Sequence, residues 1–202
     1  MKKGILLIAM VLMATGVMAQ HNEFRVGYGV ASSNRLLNTK HGIFGTNWGQ
    51  QFSEIKSMNI SASSGAITFG YRYQLSRIRV GIAGAYEKIN GKYTLSDSSH
   101  TDITADGKNT YWTVAADVQF SYFKLPKGIV ELYWGASAGI AFESQDFNKL
   151  NAKDFINDAK RNRFAYQVVP IGISAGIPWL GAFAELGFGY RGIVNIGAYI
   201  RF

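Results

Sequence analysis

Beyond residue 20 the chain alternates, position by position, between apolar residues and small or polar ones. Phe24, Val26, Tyr28 and Val30 are interleaved with Arg25, Gly27 and Gly29. Ile67, Phe69, Tyr71 and Tyr73 alternate with Thr68, Gly70 and Arg72, and Ile78, Val80, Ile82 and Tyr86 with Arg79, Gly81, Ala83 and Ala85. A fourth run sets Trp112, Val114, Ala116, Val118, Phe120 and Tyr122 against Thr113, Ala115, Asp117, Gln119 and Ser121. A fifth sets Val130, Leu132, Trp134, Ala136, Ala138, Ile140 and Phe142 against Glu131, Tyr133, Gly135, Ser137, Gly139 and Ala141. Near the C-terminus Ala184, Leu186, Phe188 and Tyr190 oppose Glu185, Gly187 and Gly189, and Val194, Ile196, Ala198, Ile200 and Phe202 oppose Asn195, Gly197, Tyr199 and Arg201. Successive side chains of a strand point to opposite faces, so this period of two predicts strands.

The segment 164–184 is uncharged for 21 residues, long enough for a membrane helix. Gln167, Pro170, Gly172, Gly176, Pro178 and Gly181 sit inside it, and proline in a helix interior costs about 3 kcal/mol. The better reading is a sixth strand with Val169, Ile171, Ile173 and Ala175 on one face and a turn over 177–181. Pro170 cannot donate to a ladder, so a bulge or phase slip is expected beside it.

Eight strands result. Long polar connections at 34–58, 88–109 and 144–162 alternate with short ones at Gln74-Leu75-Ser76, Leu125-Pro126-Lys127-Gly128 and 178–181, and the last hairpin is tight at Arg191-Gly192. That is an up-and-down meander with its long connections at one end. A closed meander is either a soluble cup with an apolar cavity or a membrane barrel with an apolar outside. The apolar faces carry Trp, Phe, Tyr, Leu, Ile and Val, too much bulk for a narrow eight-stranded interior. The opposite faces gather most of the glycines, only Gly84 falling on the apolar side. They also gather Arg25, Arg72, Arg79, Asp117, Glu131, Glu185 and Arg201, one charge from each of seven strands. An arginine facing lipid costs about 2–4 kcal/mol, so this set is expected to face inward and to pair there as a polar plug. Tyr28, Tyr73, Tyr86, Trp112, Tyr122, Phe142 and Tyr190 fall near strand ends, where interfacial aromatic girdles belong.

The N-terminus adds an address. Met1-Lys2-Lys3, an apolar core over 5–13 and Val17-Met18-Ala19 form a secretory signal peptide over 1–19. The mature domain is then 20–202, and the chain leaves the cytoplasm. Composition sharpens this further. Zero cysteines remove disulfides, thiolate metal ligands and a thiol nucleophile. A charged fraction of 17% beside 48% hydrophobic residues excludes a disordered chain.

With the signal peptide and the terminal strand Val194-Asn195-Ile196-Gly197-Ala198-Tyr199-Ile200-Arg201-Phe202 in view, the chain resembles the small outer-membrane β-barrels of the OmpA/OmpX type over residues 23–202. The resemblance implies an all-β fold: an eight-stranded antiparallel up-and-down transmembrane barrel in the outer membrane of a Gram-negative-type bacterium. Both termini would be periplasmic and the long loops outside. Ile200 and Phe202 would form the C-terminal signal read by the barrel insertion machinery. It implies no single function, because this architecture hosts adhesins, structural proteins and enzymes.

Candidate chemistry is sparse. His21, His41 and His100, with the run Asp97-Ser98-Ser99-His100, contain a base, a nucleophile and a carboxylate, the parts used by lipid A-modifying acyltransferases and deacylases of this architecture. Their spacing is that of ordinary polar loops. Ala152, Phe155, Ile156 and Ala159 fall at helical spacing behind Asn151, predicting a short amphipathic helix. Ile43, Phe44 and Trp48 place apolar groups in the first long connection. Lys40, Lys56, Lys149, Lys153, Lys160, Arg161 and Arg163 fall on the outer side, where lipopolysaccharide phosphates are the nearest anions. The formal charge of +8 is scattered, without a nucleic-acid motif, and no metal or nucleotide motif occurs. The expected role is therefore non-enzymatic: membrane integrity, adhesion or contact with an extracellular ligand through 34–58, 88–109 and 144–162, with no cofactor. A lipid A-modifying enzyme is the alternative, a narrow porin-like channel the third reading and a soluble secreted barrel the fourth.

Overall fold

The computed structural model describes residues 22–34, 55–96, 102–125, 129–148 and 159–202. They form eight strands: β1 (Asn22–Val30), β2 (Ile55–Leu75), β3 (Ile78–Ser96), β4 (Asp102–Lys124), β5 (Val130–Asn148), β6 (Ala159–Gly176), β7 (Leu180–Gly189) and β8 (Val194–Arg201). Each pairs antiparallel with its neighbours in chain order, and β8 returns to β1, so the sheet closes into a barrel. Closure removes the sheet edge along the length that all eight strands share. The main-chain N–H of Asn22 donates to the Phe202 carbonyl at 3.1 Å, and that of Phe202 to the Asn22 carbonyl at 3.0 Å, so the seam is fastened at its end.

The alternation sorts the two faces. Phe24, Val26, Tyr28, Ile67, Phe69, Ile82, Trp112, Val114, Ile140 and Ile196 are all exposed on the outside. Their neighbours in sequence point into the barrel, where they are buried or, at Gly27, Gly81, Gly139 and Gly197, half-buried. Tyr86 and Trp112 pack against each other across β3 and β4 with ring centroids 4.7 Å apart and planes tilted by 50°, and Tyr28, Tyr73, Tyr122 and Phe142 are outward. Tyr190 departs from this set: it is buried inside, its hydroxyl 3.2 Å from Ser137 Oγ. The turn after Gly189, which takes a φ of +143°, shifts the phase there.

The phase slip expected at Pro170 is present. The register of β6 against β7 jumps between Val168 and Ile171. In consequence Val169 is buried inside while Ile171 and Ile173 face out, correcting the single face drawn through Val169.

The interior also holds more aromatics than side-chain volume alone suggested. Tyr111, Tyr133, Phe183, Tyr190 and Tyr199 are buried there. Glycine makes the room. A Cβ on Gly172, which pairs with Tyr133, would collide with that ring, and one on Gly181 would collide with its partner Tyr199. The Phe183 ring lies similarly over Gly27 and Gly197. Gly84, the glycine on the outer face, is covered by Phe69. Aromatic-over-glycine pairing across strands therefore operates on both faces.

The polar connections are shorter than their composition suggested. Residues 88–96 and 102–109, expected as loop, continue β3 and β4 in unbroken register from Ile78↔Phe120 to Ser96↔Asp102. β2 begins at Ile55, β5 runs to Asn148 and β6 begins at Ala159. Hydrogen bonding persists where the apolar alternation stops, because strands clear of an apolar medium need no oily face. Ala159, assigned to a short helix in the sequence, opens β6 instead. The rest of that helix, together with Ile43, Phe44 and Trp48, lies outside the described residues.

Candidate functional site

The polar interior is the site, built rung by rung. Strand pairing places Arg72, Gly81, Asp117, Ser137 and Gln167 on one hydrogen-bonded row. The next row, two residues on in each strand, is Gly70, Ala83, Ala115, Gly139 and Ala165. Two rows further lie Ala66, Glu87, Tyr111, Glu143 and Arg161. A band of small residues thus separates two polar layers, and the buried Tyr190 packs with Ala85, Ala115, Ala141 and Ala165 in it.

Below the band, on the side of the chain termini, the structure places Arg25, Arg72, Arg79, Asp117, Glu131, Glu185 and Arg201, all buried. Two further residues complete the network, Glu23 and Arg191. Glu23 accepts from Arg25 Nε at 2.6 Å and from Arg201 Nε at 2.8 Å, with Arg79 and Arg72 at 3.7 and 3.9 Å. Glu131 takes Arg79 Nη1 and Nη2 at 2.6 and 2.7 Å in a fork, then Arg201 Nη2 at 3.2 Å and the Ser121 hydroxyl. Asp117 is shared between Arg72 Nε at 2.5 Å and Arg191 Nη2 at 2.6 Å. Glu185 accepts from Arg25 Nη1 at 2.9 Å, Tyr133 Oη at 3.0 Å, Asn195 Nδ2 at 3.0 Å and Arg191 Nη1 at 3.5 Å. The Arg25 guanidinium also lies over the Phe183 ring, 4.4 Å from its centroid, and that of Arg201 over Tyr199 at 4.2 Å.

Carboxylate and guanidinium thus alternate through the lower interior, each acid bonded to at least two arginines. Forked pairing and satisfied carboxylate oxygens are the conditions under which buried charge is tolerable. Glu23 and Arg191 escaped the sequence reading for local reasons. Glu23 belongs to the polar opening 20–23, where alternation has barely begun, and Arg191 sits in a hairpin turn, where period two says nothing about direction.

Above the band the chemistry changes. Ala31 takes a φ of +55°, an unfavourable region for a side chain with a Cβ, and turns 32–34 towards Glu87. Ser32 Oγ donates to Glu87 Oε2 at 2.5 Å, Asn34 Nδ2 to the same oxygen at 3.2 Å and Ser63 Oγ to Oε1 at 3.3 Å. Tyr111 Oη donates to Glu143 Oε1 at 2.7 Å, and Arg163 Nε lies 2.8 Å from Glu143 Oε2.

His21, His41, His100 and the run Asp97-Ser98-Ser99-His100 lie outside the described residues, as do Lys40, Lys149 and Lys153. Among the described residues no group of acids and histidines has metal-ligating geometry. Lys160 is exposed, and Arg161 and Arg163 are partly so, at the outer end of β6. At the other end, Ile200 faces outward and Phe202 is half-buried.

An apolar outside around a charged interior defines a small inside-out barrel of eight antiparallel strands, the architecture that the resemblance to the OmpA/OmpX type implies. Among solved structures, one that it is similar to is Ail, the attachment invasion locus protein of Yersinia pestis, in complex with the heparin analogue sucrose octasulfate. That match has 14% sequence identity and a TM-score of 0.37, and covers 90% of this chain and 95% of the other. No family model matches the chain, and no curated protein matches it in sequence.

Proposed function

We propose that this chain is an integral outer-membrane protein that acts through its outer end as a surface-contact module, with an interior that is structural. The observation that carries this reading is the inequality of the strands. β1, β7 and β8 stop at Val30, Gly189 and Val194, whereas β2 to β6 continue beyond them. Residues 55–65 of β2 and 159–165 of β6 have no β1 or β7 partner among the described residues. A five-stranded curved sheet therefore stands above the rim. A sheet edge that no described strand pairs is a template for pairing with an extended segment of another protein. The outer parts of β3, β4 and β6 contribute Lys88, Lys108 and Lys160, and the tilted Tyr86–Trp112 pair lies on the same end of β3 and β4, a combination suited to lipopolysaccharide phosphates at the membrane surface.

In this reading residues 1–19 are the cleaved signal peptide and 20–202 the barrel domain, both termini face the periplasm, and Ile200 and Phe202 serve the insertion machinery. The interior is filled by its own ion pairs, since an eight-stranded barrel has room for little beyond its side chains, and it carries neither catalysis nor a pore. The test is expression in a bacterium lacking the protein, with fractionation, heat-modifiable gel mobility and cell-surface adhesion measured together. The expected result is an outer-membrane, heat-modifiable band whose adhesion is lost when 88–109 is replaced by a short turn, while the band is kept. A protein found soluble in the periplasm, or adhesion unchanged by that replacement, would overturn the reading.

A further inference from the structure

The lower ion network is not balanced: five guanidinium groups, Arg25, Arg72, Arg79, Arg191 and Arg201, share four carboxylates, Glu23, Asp117, Glu131 and Glu185. Arg79 and Arg201 contact Glu131 and Glu23 at 2.6–3.2 Å, and Arg25 shares Glu23 with Arg201 at 2.6 Å. Three of the guanidinium groups, Arg25, Arg72 and Arg191, surround the two carboxylates Asp117 and Glu185. All three arginines crowd Glu185, at 2.9, 3.9 and 3.5 Å respectively. One positive charge is left over in a fully buried place. The same part also has hydrogen-bond donors to spare. Arg25 Nη2, Arg191 Nε and Gln119 Nε2 are buried without an acceptor in reach. Gln119 belongs here because its Oε1 accepts from Arg72 Nη1 at 2.5 Å.

We propose that this part of the interior binds one small inorganic anion of chloride size, held by Arg25 and Arg191 beside Glu185, with Arg72 completing the positive surround. Charge and hydrogen bonding ask for the same ligand. An unpaired buried charge is among the most costly features a fold can carry. A water molecule accepts hydrogen bonds but leaves the charge uncompensated, whereas a halide does both. Every acid facing this region from the surrounding strands, Glu23 on β1, Asp117 on β4, Glu131 on β5 and Glu185 on β7, is already engaged by arginine. The missing negative charge therefore has to come from outside the chain. The proposal needs the closed barrel and is independent of what the protruding sheet contacts.

The experiment uses the purified full barrel in neutral detergent. The midpoint of its heat-induced mobility change is followed as chloride replaces gluconate at constant ionic strength. The midpoint should rise saturably by about 4 °C, as binding to the folded state alone requires, and bromide should replace chloride. Gln119→Glu sets a carboxylate against Arg72 and supplies the missing charge, so its midpoint should start high and no longer respond to chloride. Equal wild-type midpoints in both salts, or an undiminished response in Gln119→Glu, would overturn the proposal. Should that variant fail to fold, wild-type crystals grown in sodium bromide decide. An anomalous bromine peak within hydrogen-bond distance of Arg25 Nη2 or Arg191 Nε supports the site, and no peak there rejects it.

Discussion

Below the band of small residues running from Gly70 through Ala83, Ala115 and Gly139 to Ala165, each carboxylate is bonded to two or more guanidinium groups. Above it, Glu87 is met by two serines and an asparagine, and Glu143 by a tyrosine and an arginine whose side chain is 38% exposed. The same barrel thus uses two ways of holding an acid. The lower layer joins strands distant in sequence: Glu23 and Arg201 are 178 residues apart, Arg25 and Glu185 160. It is a clamp on closure, buried on every side by the closed sheet. The upper layer lies nearer the other end of the barrel, and there hydroxyl and amide donors share the acids with one partly exposed arginine.

The same isosteric substitution on either side tests this difference. Glu23→Gln should cost about 3–5 kcal/mol, because it leaves arginines buried beside a neutral group. Urea unfolding in lipid vesicles, followed by tryptophan fluorescence, measures it. An equal loss for Glu143→Gln would erase the distinction. A charge on the outer face should come next in size. Val114→Arg should cost about 2–4 kcal/mol in vesicles, and no loss there would mean that the exposed apolar face does not meet lipid. Gly172→Ala, which forces a Cβ into the Tyr133 ring, should cost about 1–3 kcal/mol as an overpacking change. Removing the ring first with Tyr133→Leu should make the alanine nearly free, and a double-mutant cycle measures the coupling. The smallest effect belongs to Glu143→Gln itself, about 1 kcal/mol or less, since its arginine is part solvated and the Tyr111 bond survives.

How far the sequence reaches follows from what period two can encode. It assigns a face to any residue inside an alternating run, so the inward side of Arg25, Arg72, Arg79, Asp117, Glu131, Glu185 and Arg201 is legible without coordinates. It says nothing of a residue before the run begins, such as Glu23, or in a turn, such as Arg191. It also fails after a phase slip: Val169 beside Pro170, and Tyr190 after the positive φ of Gly189, each lie on the face opposite to the one the pattern assigns. The polar connections mislead for a different reason. Residues 88–96 and 102–109 look like loop because they are polar, yet they pair as strands, since polarity reports the surrounding medium and not the backbone. Which acid meets which arginine depends on shear between strands, and that is written in no single strand.

The central claim is that the two faces of each strand meet different media, lipid outside and a filled polar interior inside. The chain has no cysteine, so single cysteines at consecutive positions 112–119 of β4 report without background. Each would carry a nitroxide in lipid vesicles, its relaxation read against oxygen, which partitions into lipid, and against a water-soluble nickel chelate. The account predicts strong oxygen access at 112, 114, 116 and 118, and access to neither reagent at 113, 115, 117 and 119. Chelate access at 112–118, or no alternation at all, would contradict it.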